Sequence, residues 1–519
     1  MRTLITPIIA LSAAASAMAQ YTGDLYWKPG GQWHFYDQTQ NYAYESGGEY
    51  INLGSDADVN WSEVNAIFDG SAGLGDGGNV VNMPDGKDVV FKNFTIQNFA
   101  PASGRGDFYL RNESDAIAQN SFRVIETFKI ASDFNGAPQG FDRSLLRTDA
   151  RFGSLVIENT QYDSTMVNFG TGLNGRQFKG FNSVTVDNGM SIKGGVSFNT
   201  NLGDIAANSA TAASPALNVA GVVDMQSFDG KNPTWTVWFY AGDIRTDDTV
   251  NSYYSLGGLN GTGSFMLNTQ HAYTNKDPRL TVTFTNTGVS EYKGVWASEG
   301  NSSLHIVMNG GENGVQILRT ENYVDGSYSY GYKGSITVNS GTLKMYATQP
   351  LENTSSSYQG RNLFLNGGYF GAVAQIAPTG GEGDIGTVEL TDFTWNGGSL
   401  LVNFDYDTGN VSQLMVSGEI LLGAADNTYR VYVTGDGLGE GDSIYDFLMW
   451  DDSANDATMQ AAIDAGSFKI FVNGVEWEAN FSISGGALSA ELVQVPEPAA
   501  VAAILGALAL GLAMYRRRK

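Results

Sequence analysis

Short apolar stretches that alternate with polar residues at period two, each closed by glycine, asparagine or aspartate, fill most of this 519-residue chain. VVFKNFTIQNF, FRVIETFKIA, GSLVIENTQY, FNSVTVDNGMSI, GVSFNTN and LNVAGVVDM follow one another beyond Val80. Successive side chains of an extended strand point to opposite sides, so this alternation marks strands buried on one face only. VTVDNG and ITVNSG put Asn where the chain must turn, a residue that can take the left-handed conformation between strands. No amphipathic helical pattern of about twelve residues or more occurs before residue 450. The best helical candidate is ANDATMQAAIDA, residues 454–465. The fold class is therefore all-β.

Composition narrows the function classes. Charged residues make up only 16%, too few for a protein rich in surface helices, while apolar residues at 42% and strand spacing argue against disorder. Cysteine is absent, so burial and backbone hydrogen bonds must hold the fold, and neither a thiol nucleophile nor a Cys-ligated metal is available. With 29 basic against 54 acidic residues the net charge is −25. Nucleic-acid binding needs the opposite balance and is discounted. Anionic polymers are repelled unless a divalent cation bridges them, and the acidity favours dispersal in solution.

Both ends carry targeting signals. Met1-Arg2 is a short positive region, residues 4–15 are apolar and small, and Ala17-Met18-Ala19 forms an A-x-A site before Gln20, the pattern of a cleaved secretory signal. At the other end, Pro496 and Pro498 make a stiff extended joint. An uncharged apolar segment over 499–515 is close to the shortest helix that spans a bilayer. Arg516, Arg517, Arg518 and Lys519 follow, a cluster that the positive-inside rule keeps in the cytoplasm. Val495-Pro496-Glu497-Pro498, the helix and the basic tail together resemble the PEP-CTERM sorting signal of Gram-negative bacteria. That resemblance implies export through the Sec translocon and transient anchoring in the inner membrane. An exosortase would then process the tail, leaving the protein at the cell surface, the outer membrane or the extracellular matrix.

The interior suggests a solenoid. Residues 20–79 are aromatic (Tyr26, Trp27, Trp33, His34, Phe35, Tyr36, Trp61) and look like the N-terminal repeat of bacterial secreted β-solenoids, where large rings cap the first turn. Residues 314–346 resemble the autotransporter-associated β-strand repeat at Gly314, Gln316, Leu318, Asn322, Tyr323, Tyr332, Gly334, Thr337, Val338, Gly341, Thr342 and Leu343, with an insertion over 324–329. Segments 256–265, 280–284 and 288–296 fit as an upstream partner. Over residues 80–385, clearest at 255–350, the resemblance implies a right-handed parallel β-helix. At roughly 22 residues a rung, residues 20–385 would give about 17 rungs and a rod near 80 Å long. Residues 386–494 have longer strands and read as the last rungs with a C-terminal β cap, or as a separate β-sandwich. The chain lacks the lipid-facing strands of an autotransporter barrel.

Chemistry is sparse. His34, His271 and His305 share no metal-ligand spacing, and there is no H-E-x-x-H, G-x-S-x-G or phosphate-cradling loop. His305 alternates with Leu304 and Ile306 and should point outward. Among Arg143, Arg147, Asp149 and Arg151, the last three share a strand face and could pair a base with a cation, though a solvent-side ion pair explains them as well. Calcium is the one cofactor with a foothold: Asp76, and Asp436, Glu440 and Asp442, sit in glycine-rich turns able to present oxygen ligands, or act as plain acidic turns. Trp235 and Trp238 in TWTVWFY face opposite sides, so one of them could stack on a sugar. These features favour a secreted, non-enzymatic surface or matrix protein with structural or adhesive use. A polysaccharide-active β-helix enzyme is the first alternative, and a carbohydrate- or ice-binding module the second.

Overall fold

The chain is a parallel β-solenoid, seen in a computed structural model that describes residues within 21–493. Residues 1–20, 494–519 and several internal stretches lie outside the described residues, the longest internal ones being 28–41, 98–107, 171–180, 201–210, 241–250, 348–360 and 375–384. One ladder of parallel pairs runs Leu25, Ala66, Phe94, Phe128, Leu155, Met190, Val223 and Leu259. The Gly261–Tyr292 pair carries it on through Leu318 and Met345 to Ala372. In the same strands Phe370 pairs with Leu400, Leu400 with Val431, and Val431 with Ile470. Residues 386–472 thus continue the same stack.

A typical turn has three faces. Arg279–Phe284 lies on the first, Val289–Tyr292 on the second and Val295–Ser298 on the third. Third-face strands join into a separate eight-stranded sheet, one from each of eight successive turns, ending at Val295–Ser298. Further along, Thr387–Leu390, Gln413–Val416 and Ser443–Trp450 form another parallel run. Interior residues alternate as expected: Leu280, Val282 and Phe284 are fully buried between half-exposed Arg279, Thr281 and Thr283.

Turn length and corner geometry differ from expectation. Residues paired across adjacent turns are 24 to 41 positions apart, because corner loops lengthen each circuit beyond the expected 22. The stack has correspondingly fewer turns for its length. The corner asparagines are not left-handed either; the glycine two positions on takes that role, with φ of 75° at Gly341, 63° at Gly368 and 70° at Gly398. A Cβ on Gly368 would meet the Gly341 carbonyl oxygen at 2.3 Å, so the corners stack too closely for any side chain there. Asn contributes its amide instead. Asn339 donates to Asn309, Asn366 to Asn339 and Asn396 to Asn366, each at 2.9 Å, a ladder parallel to the stack axis.

Aromatic rings fill the interior. Phe198, Trp235, Phe265 and Trp296 occupy one register position on the third face, with centroids 5.7, 4.8 and 4.5 Å apart. Each such buried ring contributes about 1.5–3 kcal/mol. Trp235 also donates to Thr200 Oγ1 at 3.1 Å, which accepts from Tyr254 as well. Buried Gln316 interrupts this apolar stack. Its Oε1 accepts from the Leu259 N–H and its Nε2 donates to the Leu259 carbonyl, both at 2.9 Å, reaching past buried Ser290 of the intervening turn. A side-chain amide here replaces strand pairing, keeping buried backbone groups satisfied.

The ends close differently. At the start, Tyr42–Ser46 and Glu49–Asn52 form a hairpin whose first strand runs antiparallel to Tyr21–Trp27, and Trp61 packs edge-on against Phe91 at 5.8 Å. At the far end, Val475–Ile483 pairs antiparallel with Phe468–Val472 and with Ala487–Val493, which returns to Ser443–Trp450. A helix, Ala454–Asp464, lies where 454–465 was expected and covers the first-face strand Ile420–Leu422. Its Asn455 accepts from the Ile420 N–H and donates to the Gly418 carbonyl, both at 2.9 Å. One amide thus takes the place of the next strand on an edge that would otherwise be open.

Candidate functional site

The outward side of the first face forms a strip that is uncharged over its turns from Ser255 to Phe364, beyond which Asp392 and exposed Glu419 continue the column of Asn362. From Thr185 its register runs Asn218, Ser255, Thr283, Val307, Thr337, Phe364, Thr394 and Leu421. On one side stands the exposed asparagine ladder, Asn309 to Asn396. On the other lie Tyr253, Thr281 and His305, continued by Ser335 and Asn362. His305 is outward and half-buried, as its alternation suggested. Its Nδ1 accepts the Ser335 N–H at 3.1 Å and lies 2.7 Å from the Ser335 hydroxyl. Phe364 and Leu421 are 36% and 48% exposed, leaving apolar surface open beside the threonines.

The second face is different in kind. Its outward register runs Lys129, Val156, Ser191, Asp224 and Asn260, and later Glu291, Ile317 and Lys344. Ion pairs cross it: Lys129 with Glu158 at 2.7 Å and Arg319 with Glu291 at 2.6 Å. Further along, Tyr432 stacks on Phe471 at 4.5 Å and 7°, and Tyr369 meets Tyr432 edge-on at 5.3 Å. Rings stacked on one another turn their edges to solvent, a poor surface for a sugar to stack on.

The residues singled out for chemistry are mostly occupied or apart. Asp149 accepts from Asn182 Nδ2 at 2.8 Å and Ser183 Oγ at 2.6 Å, while Arg151 pairs with Asp187 of the next turn at 2.9 Å. That ion pair raises the Arg151 pKa, through the hydrogen bond first and the charge second. Asp442 accepts the Gly439 N–H at 2.7 Å and closes its own turn. Asp436 instead lines an open cleft of about 960 Å³ with Asp405, Tyr406, Asp407 and Asn473. The Thr408 hydroxyl holds the Asp405 carboxyl below the usual carboxylate range. Among the described residues, no group of three or more His, Cys, Asp or Glu side chains is placed to hold a metal ion. A second cleft, about 510 Å³, is lined by Arg361, Glu389, Met415, Met449 and Trp450. Trp235 is core. The Trp238 side chain, Asp76, Arg143, Arg147, His34, His271, the signal-cleavage residues Ala17, Ala19 and Gln20, and the sorting signal 495–519 lie outside the described residues.

The uncharged strip escaped sequence reading because its members are a full turn apart; TVTFTNT exposed only Thr281 and Thr283 of it. Comparison with known proteins found no matching family model, no similar curated protein and no similar solved structure. No helix among the described residues is long and apolar enough to cross a membrane. What fold and surface define is a parallel β-solenoid with chemically distinct outward faces.

Proposed function

We propose that this protein is an exported, non-enzymatic β-solenoid of the cell surface or extracellular matrix, with a structural and adhesive role. In this reading the Sec translocon exports it and an exosortase processes the tail at Val495-Pro496-Glu497-Pro498. The winding is right-handed, the sense that parallel crossovers adopt. The observation that supports it best is the single ladder from Leu25 to Ile470, stitched outside by asparagine amides and closed at its far end by Asn455 and an antiparallel hairpin. Such a stack suits display along an extended surface, since each turn presents the same face to a partner.

The test incubates the purified protein with a panel of bacterial and algal polysaccharides, with and without calcium, following new chain ends and co-sedimentation. Binding without new ends is the expected result. New ends would replace this reading with a polysaccharide-active enzyme, and the cleft of Asp405, Asp407 and Asp436 would be the first place to mutate. A calcium requirement for binding would revive calcium as a cofactor, with Asp436, Glu440 and Asp442 as the turn residues to change.

A further inference from the structure

We infer that the first face, from Ser255 to Phe364, is a docking surface for an uncharged polysaccharide. The inference rests on the adhesive reading above and names its ligand class. Three adjacent columns compose the surface: the asparagine ladder 309, 339 and 366; the column Ser255, Thr283, Val307, Thr337 and Phe364; and the column Tyr253, Thr281, His305, Ser335 and Asn362, with Asp392 and Glu419 marking the charged end of the third column. Short of that end, none of these residues bears a carboxylate, ammonium or guanidinium, and His305 Nδ1 is engaged by the Ser335 N–H. The chain as a whole carries −25.

Charge selects the occupant. An anionic polymer would meet long-range repulsion from the whole molecule, and a second copy of this chain would bring another −25 with it. An uncharged glycan meets neither. Docking here also strips no ion of its hydration, a cost that depletes charged residues from the centres of interfaces. The second face, crossed by Lys129–Glu158 and Arg319–Glu291, would impose that cost.

The groups present match a neutral sugar polymer. Asn339 and Asn366 each use one amide proton and one oxygen lone pair on their neighbours, and the amide chemistry supplies a second of each for ligand hydroxyls. Threonine offers a hydroxyl beside a methyl, as a sugar offers hydroxyls beside C–H groups. Exposed Phe364 adds apolar surface for the C–H faces. Turns repeat at about 4.8 Å, so the strip repeats its donors along a line, as a linear polymer repeats its hydroxyls.

The experiment uses the full-length protein with cellulose and a soluble neutral β-glucan, against alginate as the anionic polymer. Expected is co-sedimentation with cellulose, competed by the soluble neutral glucan and unchanged by added salt. The pair Thr283→Lys and Thr337→Lys should cut the bound fraction at least tenfold, and the milder Thr337→Val two- to threefold, with unchanged circular dichroism. Ser191→Lys and Ile317→Lys on the second face should leave binding intact. Failure to bind any neutral polymer, binding only to alginate, or equal losses from both faces would overturn the inference. New chain ends would overturn the non-enzymatic reading alone, since loss of binding on the first face is read separately.

Discussion

The first and second faces share strand register, turn spacing and interior, yet over the turns from Ser255 to Phe364 the first presents hydroxyls, amides and an open apolar side chain, while the second presents ion pairs and, further along, self-stacked rings. The interior constrains both alike: Val282 and Tyr292 are equally buried beneath them. What separates them is the outward residue at each register position. Thr283, Val307 and Thr337 follow one another on the first face, whereas Glu291, Ile317 and Lys344 do so in the same turns on the second. A solenoid can therefore vary one face without disturbing the other, provided the corners and core are kept.

The largest effect should come from breaking what both faces share. Trp235→Ala removes a ring from the interior column and orphans its bond to Thr200. It is expected to cost about 3–5 kcal/mol, seen as an earlier midpoint in chemical denaturation with both faces lost together. Raising the pH attacks the same interior. Burial pushes the Tyr254 and Tyr292 hydroxyls well above the ordinary tyrosine range, so the folded state keeps them neutral where the unfolded state ionises. Their stabilisation is complete below about pH 10 and falls as pH rises beyond it. A denaturation midpoint measured from pH 8 to 12 should be flat to about 10 and then drop.

Asn455→Ala tests the first face at its end. It leaves the Ile420 N–H and Gly418 carbonyl without their partner, costing about 1–3 kcal/mol. Opening that strand edge should also produce end-to-end association visible by size-exclusion chromatography, while Ser443–Trp450, already covered by Ala487–Val493, stays closed. Asn366→Ala cuts the corner between the faces. It removes two exposed ladder bonds and should lower stability by about 1 kcal/mol. The smallest effect is expected from Arg151→Ala, whose partner Asp187 and own guanidinium are both well exposed. Less than about 0.5 kcal/mol should be lost, and less still in high salt.

How much of this was readable beforehand depends on distance along the chain. Local features were: period-two strands, the 454–465 helix, and outward His305. Features needing the register of distant turns were not. Turn length was underestimated because the corner loops carry no fixed spacing. The asparagines of VNSG and its relatives were read for backbone conformation, while their role is a side-chain bond to a residue some 30 positions away. Arg151 finds Asp187 across turns rather than a partner in its own strand. Gln316 and Asn455 each substitute for backbone pairing, a role that no local pattern announces.

Hydroxyl-radical footprinting of the full-length protein, free and saturated with neutral β-glucan, tests the division between the faces most directly. The account requires Tyr253 and Phe364 to be labelled several-fold less in the complex, with Tyr432 and Phe471 unchanged. Protection of Tyr432 and Phe471 instead, or equal protection on both faces, would contradict it.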